Sequence, residues 1–146
     1  MKPPHGPSLC YCLASRQSAR YLSRLFDEHL APSGLSSSQF SILVSLASAK
    51  TLTIVQLAEF MVMERTTLVR ALKPLQQSGW VLNQLPTSGR AMILTLTPAG
   101  QIKVKEAAQL WKAAQQAFEN LIGKDRAVAL RSELQNVKKI CTTSEA

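Results

Sequence analysis

Between Thr53 and Leu96 the apolar residues change their period, and this change constrains the fold more than any other feature of the chain. Up to Gly79 they recur at helical spacing, in two short segments separated by three or four residues. After Gly79, the stretches 80–85 and 91–96 are typical of strands and are joined by a turn containing proline and glycine. Two short helices followed directly by a hairpin predict a helix-turn-helix with a β-hairpin wing.

The helix boundaries have their own signals. Ser36 with Gln39, and Thr53 with Gln56, match the capping-box pattern that begins a helix. Gly79 stands where the C-cap glycine of the second short helix belongs. These signals place the start of two helices and the end of a third before any tertiary contact is considered.

Long helices are predicted at both ends of the chain, from Leu9 to about Leu30 and from Pro98 to Cys141 with a break at Gly123. The fold class is therefore mainly α (α+β), a winged helix-turn-helix between N- and C-terminal helices. In so short a chain these helices lack partners, and a homodimer would bury them. We expect a flexible arm at 1–8, the N-terminal part of the dimerisation region at 9–35, a winged-helix DNA-binding domain at 36–97, C-terminal dimerisation helices at 98–141 and a tail at 142–146.

The net charge is +8, and seven Lys and Arg stand against two Glu between Lys50 and Lys105. A concentrated positive field attracts polyanions, first nucleic acid and then anionic membranes. A basic surface that only maintains solubility is the alternative. No apolar run is long enough to span a membrane. The three cysteines have no disulfide-framework spacing, so we expect a reducing, cytoplasmic location.

The segment 65–77 is predicted to be the helix that contacts DNA. On a helical wheel three leucines form the buried stripe, flanked by Val69 and Ala71. Pro74 predicts a local kink and not the end of the helix. The opposite face has cations and hydrogen-bonding side chains but no carboxylate, which suits a major groove, whereas an ordinary solvated face usually mixes both charge signs. The expected DNA-contacting residues are Thr66, Arg70, Lys73 and Gln77, with Arg65 and Thr67 at the N-terminal edge.

Arg90 is the only charged residue from Gly79 through Gly100 and lies at the end of the hairpin turn. An arginine on a wing suits the narrow, electronegative minor groove of A-tracts, so we expect it to contact DNA there. A solvated loop charge is the alternative.

Segments 64–75, 79–81 and 96–100, together with Arg90, resemble the MarR family of bacterial winged-helix regulators, and the order of elements agrees from Leu9 to Cys141. The resemblance implies a two-fold dimer in which the first helix and the last two helices of each subunit interlock. It implies recognition helices in consecutive major grooves of a pseudo-palindromic operator of double-stranded DNA, wings in the flanking minor grooves, and action usually as a repressor.

The resemblance also implies a switch, either a small aromatic or anionic effector held between the dimer region and the winged helix, or oxidation. Leu9-Cys10-Tyr11 resembles the start of the first helix in the organic-hydroperoxide-sensing branch, where a cysteine is oxidised, and Cys141 is its candidate partner across the dimer. A small buried Cys10 without redox activity is the alternative. One departure concerns the wing, because Ser88 and Leu85 stand where the family has aspartates that orient its arginine.

Enzymatic activity is not expected. The sequence has no phosphate-binding glycine loop, no metalloprotease motif and no recognisable set of nucleophile, base and acid. No cofactor or metal site is expected either. The alternative from another class is a winged-helix protein–protein interaction module. Against it, Arg65, Arg70 and Lys73 on the predicted helix 65–77, the third helix of the winged-helix domain, favour DNA.

Overall fold

The chain forms six α-helices and a three-stranded antiparallel sheet within residues 6–89 and 91–144, the part that a computed structural model describes. Short 3-10 turns at Pro7–Leu9 and Ala31–Ser33 flank the first helix. This architecture confirms the predicted mainly helical fold with a small wing sheet between the terminal helices. In chain order the elements are α1 (Tyr11–Leu30), α2 (Ser37–Ala49), β1 (Thr51–Thr53), α3 (Ile54–Met61), α4 (Arg65–Gln77), β2 (Val81–Gln84), β3 (Ile93–Leu96), α5 (Pro98–Ile122) and α6 (Lys124–Ser144).

Side-chain caps set where α2 and α3 begin. The Ser36 hydroxyl accepts a hydrogen bond from the Gln39 N–H at 3.2 Å, and the Gln39 side chain accepts one from the Ser36 N–H at 2.9 Å. The same reciprocal pair joins Thr53 and Gln56, at 3.1 and 2.9 Å. Each pair satisfies N–H groups that a helix N-terminus leaves without partners. Both predicted capping boxes are therefore confirmed.

The wing is the hairpin of β2 and β3, and a further strand that the sequence did not predict extends it. β1 pairs with β3, so the strand order is β1–β3–β2, with Thr51 opposite Thr95 and Val81 opposite Leu96. β1 is only three residues long, and an apolar pattern of that length is too short to identify a strand. Because β1 leads directly into α3, its pairing anchors the wing to the start of the helix-turn-helix.

The helix-turn-helix packs on an aliphatic core. Removal of these side chains from water is the main driving force for the fold, and it fixes which face of each helix points inward. The core also joins the helix-turn-helix to the neighbouring helices, because Leu30 from the end of α1 and Ala107 from α5 belong to it. The largest fully buried side chains are Leu30, Ile42, Leu43, Leu46, Leu57, Leu68, Leu72, Leu75, Leu94 and Val81.

The terminal helices are far less covered than the core. α5 packs against α1 and α2, and α6 turns back along α5 after Gly123. In α6 only Ala127 is buried among the described residues, while Leu134, Val137 and Ile140 are more than half exposed. None of the helices in the described ranges has the length and apolarity that crossing a bilayer requires.

The last helix extends further than the sequence predicted. α6 extends to Ser144, so residues 142–144 are helical and do not belong to a tail at 142–146. The hydroxyls of Thr142 and Ser144 donate to carbonyls one turn earlier, each at 2.9 Å, which accommodates polar side chains inside the helix. Within the predicted arm at 1–8, Pro7 begins a 3-10 turn, and residues 1–5 lie outside the described residues.

Candidate nucleic-acid interface

The core sets the orientation of α4. Leu68, Leu72 and Leu75 recur every three or four residues and are at most 2% exposed. Their burial turns the opposite side of the helix towards solvent. α4 also packs against α3 and against β2 of the wing, so both neighbours limit its movement.

The six residues predicted to contact DNA from α4 are all exposed. The only side-chain ion pair within residues 6–89 and 91–144 joins Lys103 to Glu106, so it neutralises none of the three cations of α4. This solvent face, which we call the basic face of α4, consists of Arg65, Thr66, Thr67, Arg70, Lys73 and Gln77.

The first turn of α4 adds backbone donors to this face. Glu64 is the N-cap residue, but its side chain makes no hydrogen bond to the turn that follows. A helix N-terminus has N–H groups without intrahelical partners and carries partial positive charge, which favours phosphate. The free N–H groups and the partial positive charge lie at the same turn as the exposed side chains of Arg65 and Thr67.

Val69 is a residue that the helical wheel placed wrongly. Its predicted position was beside the buried stripe, but its side chain is 51% exposed. It lines a shallow depression with Arg65, Thr66 and Arg70. A helical wheel gives only the angle of a side chain about the helix axis. The neighbouring helices decide how much of the surface of α4 is buried. An exposed apolar side chain among cations is suited to contact with a thymine methyl group.

Pro74 lies inside α4 without ending it, as the sequence predicted. The helix continues to Gln77, and the Pro74 carbonyl accepts a hydrogen bond from the Ser78 N–H at 3.0 Å. Gly79 then adopts a φ of +73° and its N–H donates to the Gln76 carbonyl at 3.0 Å. This confirms the predicted C-cap glycine, since a left-handed residue here is nearly free of strain only without a side chain.

The base of the wing is fixed by direct contact between the start of β2 and the start of α5. The Thr97 hydroxyl donates to the Gly79 carbonyl at 2.6 Å, and the Thr97 N–H donates to the Trp80 carbonyl at 3.0 Å. A Cβ atom on Gly100 would lie 2.2 Å from the Trp80 carbonyl oxygen. The paired segments 79–81 and 96–100 therefore require a hydroxyl at 97 and a glycine at 100.

The end of the wing presents both polar and apolar residues to solvent. Arg90 lies outside the described residues, so its contact with a minor groove stays a prediction. Ser88 and Gly89 before it are exposed. Leu82 and Leu85 on the same hairpin are 51% and 66% exposed, so the wing also presents apolar surface.

Lys103 is one of the seven Lys and Arg between Lys50 and Lys105, but it does not belong to the basic face of α4. Its Nζ donates to the Ser33 carbonyl at 3.0 Å, lies 3.2 Å from Glu106 Oε2 and lies 5.1 Å from the centroid of the Trp80 ring. These contacts connect α5 to the turn before α2 and to the wing base. Lys103 therefore stabilises the junction of these elements, and its charge is directed inward.

A groove of about 580 Å³ lies between α1, α2, α5 and α6. Arg131 and Lys138 line its α6 side and Glu119 lines its α5 side. Phe40 and Trp111 meet with their ring centroids 6.3 Å apart, which gives the groove a partly aromatic floor. The aromatic residues that line it are Phe26, Phe40, Trp111 and Phe118.

The three cysteines, Cys10, Cys12 and Cys141, are free thiols and all are exposed. Cys10 is exposed in the single chain, whereas the alternative interpretation expected a small buried residue. It is the N-cap residue of α1, and its Sγ accepts a hydrogen bond from the Leu13 N–H at 3.3 Å. Within residues 6–89 and 91–144 no cluster of three or more His, Cys, Asp or Glu side chains is suited to hold a metal ion.

Comparison with known proteins identifies the family. A profile of the MarR family matches residues 35–88, from the residue before the capping box of α2 into the wing. Over 90 residues the chain is 32% identical to YwoH of Bacillus subtilis (strain 168), an uncharacterized HTH-type transcriptional regulator. That alignment covers 62% of this chain and 66% of YwoH, slightly less than two thirds of its length. The chain belongs to the MarR family.

Solved structures extend the likeness over most of this MarR-family chain. The transcriptional regulator MosR of M. tuberculosis, in complex with DNA, is 29% identical with a TM-score of 0.79, over 94% of this chain and 99% of MosR. A mutant of MarR from E. coli, complexed with operator DNA, is 25% identical with a TM-score of 0.75, over 85% of this chain and 90% of that protein. The winged-helix fold and the resemblance stated from the sequence are confirmed. Membership of a family of regulators also confirms that the chain is not an enzyme.

Two features of the MarR-family chain have no local signal in its sequence. The groove draws its lining from four helices that are distant along the chain, so no local pattern identifies it. Lys138 contacts Phe60, which lies 78 positions earlier, through a hydrogen bond of 2.6 Å to its carbonyl. Val69 differs from these two features. The helical wheel gives its angle on α4, but its exposure depends on which elements pack against α4.

Proposed function

We propose that this MarR-family chain is a homodimeric transcription regulator that binds a pseudo-palindromic DNA operator and acts as a repressor until a small ligand releases it. The observation that carries the proposal is the basic face of α4, with three exposed cations and no carboxylate. Such a face attracts DNA phosphates and suits the major groove, where the second helix of a helix-turn-helix lies. A regulator of this kind acts in the cytoplasm, with the DNA of a bacterial cell.

In the proposed complex α4 enters the major groove of each half-site. Arg70 is the base reader, because a guanidinium can donate two hydrogen bonds to guanine. Lys73 contributes charge towards phosphate. Val69 supports the recognition of thymine through an apolar contact. The further contacts are Arg65, Thr66, Thr67 and Gln77 on α4, and Arg90 in the flanking minor groove.

The relatives support DNA as the partner over the alternative of a protein–protein interaction module. MosR was crystallised with DNA and the mutant MarR with operator DNA, and both share the fold of this chain over most of its length. A module that uses its third helix for protein contacts has no need of a helix face that carries cations only. The repressor direction rests on the resemblance to the family and not on a contact.

The test of this proposal is a gel-shift titration with the DNA upstream of the chain's own gene, against scrambled DNA of equal length and composition. We expect a specific complex whose affinity falls steeply between about 50 and 200 mM salt, because phosphate contacts release counterions. A correctly folded dimer that binds both DNAs equally weakly at low salt would disprove the proposal.

The dimer is proposed from the apolar surface of the terminal helices, with 9–35 and 98–141 as the dimerisation region around the winged-helix domain at 36–97. Isolated exposed apolar residues are ordinary, but a concentration of them on adjacent helices marks an association surface. A two-fold dimer also matches a pseudo-palindromic operator. The exposed apolar residues of the dimerisation region include Leu9, Tyr11, Tyr21, Leu121, Leu130, Leu134, Val137 and Ile140.

The effector site is proposed in the groove between α1, α2, α5 and α6. Its aromatic floor and the cations Arg131 and Lys138 suit a small aromatic anion. Trp111 provides the measurement, because benzoate bound in the groove should change its fluorescence and weaken operator binding. Trp111→Phe, which keeps Trp80, should abolish the fluorescence change. If neither benzoate nor larger aromatic carboxylates altered fluorescence or DNA binding, the groove would not be the effector site.

A thiol switch is a second candidate, favoured by the exposed Cys10 sulfur at the start of α1. A hydroperoxide would oxidise this thiol to a sulfenic acid and leave an alcohol, and condensation with the Cys141 thiol of the partner subunit would release water and form a disulfide. Treatment with an organic hydroperoxide should then lower the thiol count and weaken operator binding, and Cys10→Ser should prevent both effects. Unchanged thiols and unchanged binding would exclude Cys10.

A further inference from the structure

The last turns of α6 reach back to the helix-turn-helix through the side chain of Lys138. Its Nζ donates a hydrogen bond to the Phe60 carbonyl oxygen at 2.6 Å and lies 4.5 Å from the centroid of the Phe60 ring. Phe60 belongs to the final turn of α3. Since Lys138 also lines the groove between the helices, this contact lies between the groove and the helix-turn-helix.

The Phe60 carbonyl is one that the end of α3 leaves open. The turn closes on two earlier carbonyls, because the Val62 N–H donates to Glu59 at 3.2 Å and the Met63 N–H donates to Ala58 at 2.9 Å. Carbonyls at a helix C-terminus need donors from elsewhere, and a cation is favourable there because that end carries partial negative charge. The Lys138 ammonium supplies both the donor and the charge.

The turn after α3 depends on such support. Val62 has a φ of +52°, a left-handed conformation that a β-branched residue adopts only under constraint from its surroundings. Only Val62–Glu64 separate α3 from α4, and the basic face of α4 begins at Arg65. A contact that holds the end of α3 therefore also holds the start of α4.

We propose that Lys138 is a positioning residue for DNA recognition, which couples the placement of α6 to the orientation of α4 by capping the end of α3. The proposal rests on the DNA-binding function proposed above and adds to it the route by which the C-terminal helices influence the recognition helix. Lys138 acts through Phe60 and does not itself touch DNA.

The adjacent Lys139 gives a matched control for the loss of one charge. It is exposed at the next position of α6, and its side chain has no contact with α3 among the described hydrogen bonds and cation–π contacts. We expect Lys138→Met to weaken binding to the upstream DNA roughly three- to tenfold more than Lys139→Met, as loss of an exposed charged hydrogen bond and a cation–π contact would produce. Lys138→Arg, which keeps a cationic donor, should retain most of the affinity.

Two further measurements separate positioning from general destabilisation and from failure of the DNA-binding proposal. In the DNA-free full-length protein, amide hydrogen exchange at 62–67 should be faster in Lys138→Met than in Lys139→Met, with the same molar mass in solution. Phe60→Leu removes the ring contact, and its effect on operator binding should be smaller in the Lys138→Met background than in the parent.

Equal operator affinity and equal exchange rates for the two lysine variants would overturn the positioning role even when the parent binds its operator. A parent protein that binds no operator would disprove the proposed function, and faster exchange at 62–67 in Lys138→Met would still support the contact with α3. A change of molar mass in Lys138→Met alone would assign Lys138 to dimerisation and overturn the positioning role.

Discussion

Arg70 and Lys73 lie three residues apart on the basic face of α4 and are both exposed, yet their chemistry differs. A guanidinium is a planar group whose donors match O6 and N7 of guanine, whereas an ammonium is a compact charge with freely rotating donors. The arginine is therefore the better reader of bases and the lysine the better partner for phosphate. The proposed assignment follows from this difference, because the two residues share the same helix face.

We predict that Arg70→Ala lowers operator affinity by about 1–3 kcal/mol and reduces discrimination between operator variants at one base pair of each half-site. Lys73→Ala should weaken binding to all sequences alike and reduce the salt slope by about one. Fluorescence anisotropy over a series of operator variants and salt concentrations measures both effects. Lys112→Ala, which removes one charge from an exposed position on α5, is the control. If Arg70→Ala ranked the operator variants as the parent does, Arg70 would not be a base reader.

At the scale of elements, the start of α5 lies in close contact with the backbone at the base of the wing. Gly100 is buried in the first turn of α5, and a Cβ atom there would lie 2.2 Å from the Trp80 carbonyl oxygen and 3.2 Å from Leu96 Cδ2. In an exposed helix interior, alanine is more favourable than glycine by about 1 kcal/mol. Here the clash is with backbone, which has no rotamer to move into, so the steric cost outweighs that gain.

We predict that Gly100→Ala lowers the free energy of unfolding by about 1–3 kcal/mol, because β2 and α5 must separate to admit the methyl group. Gln101→Ala, one residue later on the exposed side of α5, should change it by less than about 0.5 kcal/mol. Urea denaturation at equal protein concentration measures both variants, since the stability of a dimer depends on concentration. A Gly100→Ala protein as stable as the parent would show that the wing base does not need this close approach.

The whole molecule has its core in the winged helix and its uncovered apolar surface on the terminal helices. Ile140 is 66% exposed and Val137 57% exposed, although both are on a long, regular helix. A monomer would keep these side chains in water, whereas a dimer with interlocked terminal helices would bury them. In the proposed homodimer the terminal helices would hold the two winged helices together, so binding to two half-sites would depend on these helices.

We predict that Ile140→Glu shifts the protein from dimer to monomer, because a carboxylate would have to be buried without a partner. Operator affinity should fall roughly a hundredfold or more, since the second half-site then no longer binds intramolecularly. Ser132→Glu places the same charge on another exposed position of α6 and should leave the mass unchanged. Light scattering coupled to size-exclusion chromatography measures the mass, and a dimeric Ile140→Glu protein would place the dimer contact elsewhere.

The sequence alone determined the features that depend on neighbouring residues. Helix starts followed from reciprocal pairs three residues apart, such as Ser36 with Gln39, and the end of α4 followed from Gly79. The buried leucines of α4 followed from the period of the helix. The exposed positions of Arg70 and Lys73 followed in the same way. The caps depend on interactions within about one turn of helix, and the inward face of α4 follows from the period of its apolar residues. A local pattern therefore contains the necessary information.

Only the tertiary structure decided the features that depend on contacts between residues distant along the chain. Three residues form β1 because β3 is beside them, and Val69 is exposed because no helix covers its side of α4. Lys103 and Lys138 look alike as basic residues in the sequence, but one turns inward to Ser33 and the other caps α3 at Phe60. These partners are 70 and 78 positions away. The packing of whole helices brings each lysine to its partner. The periodicity of the sequence around either lysine does not predict this contact.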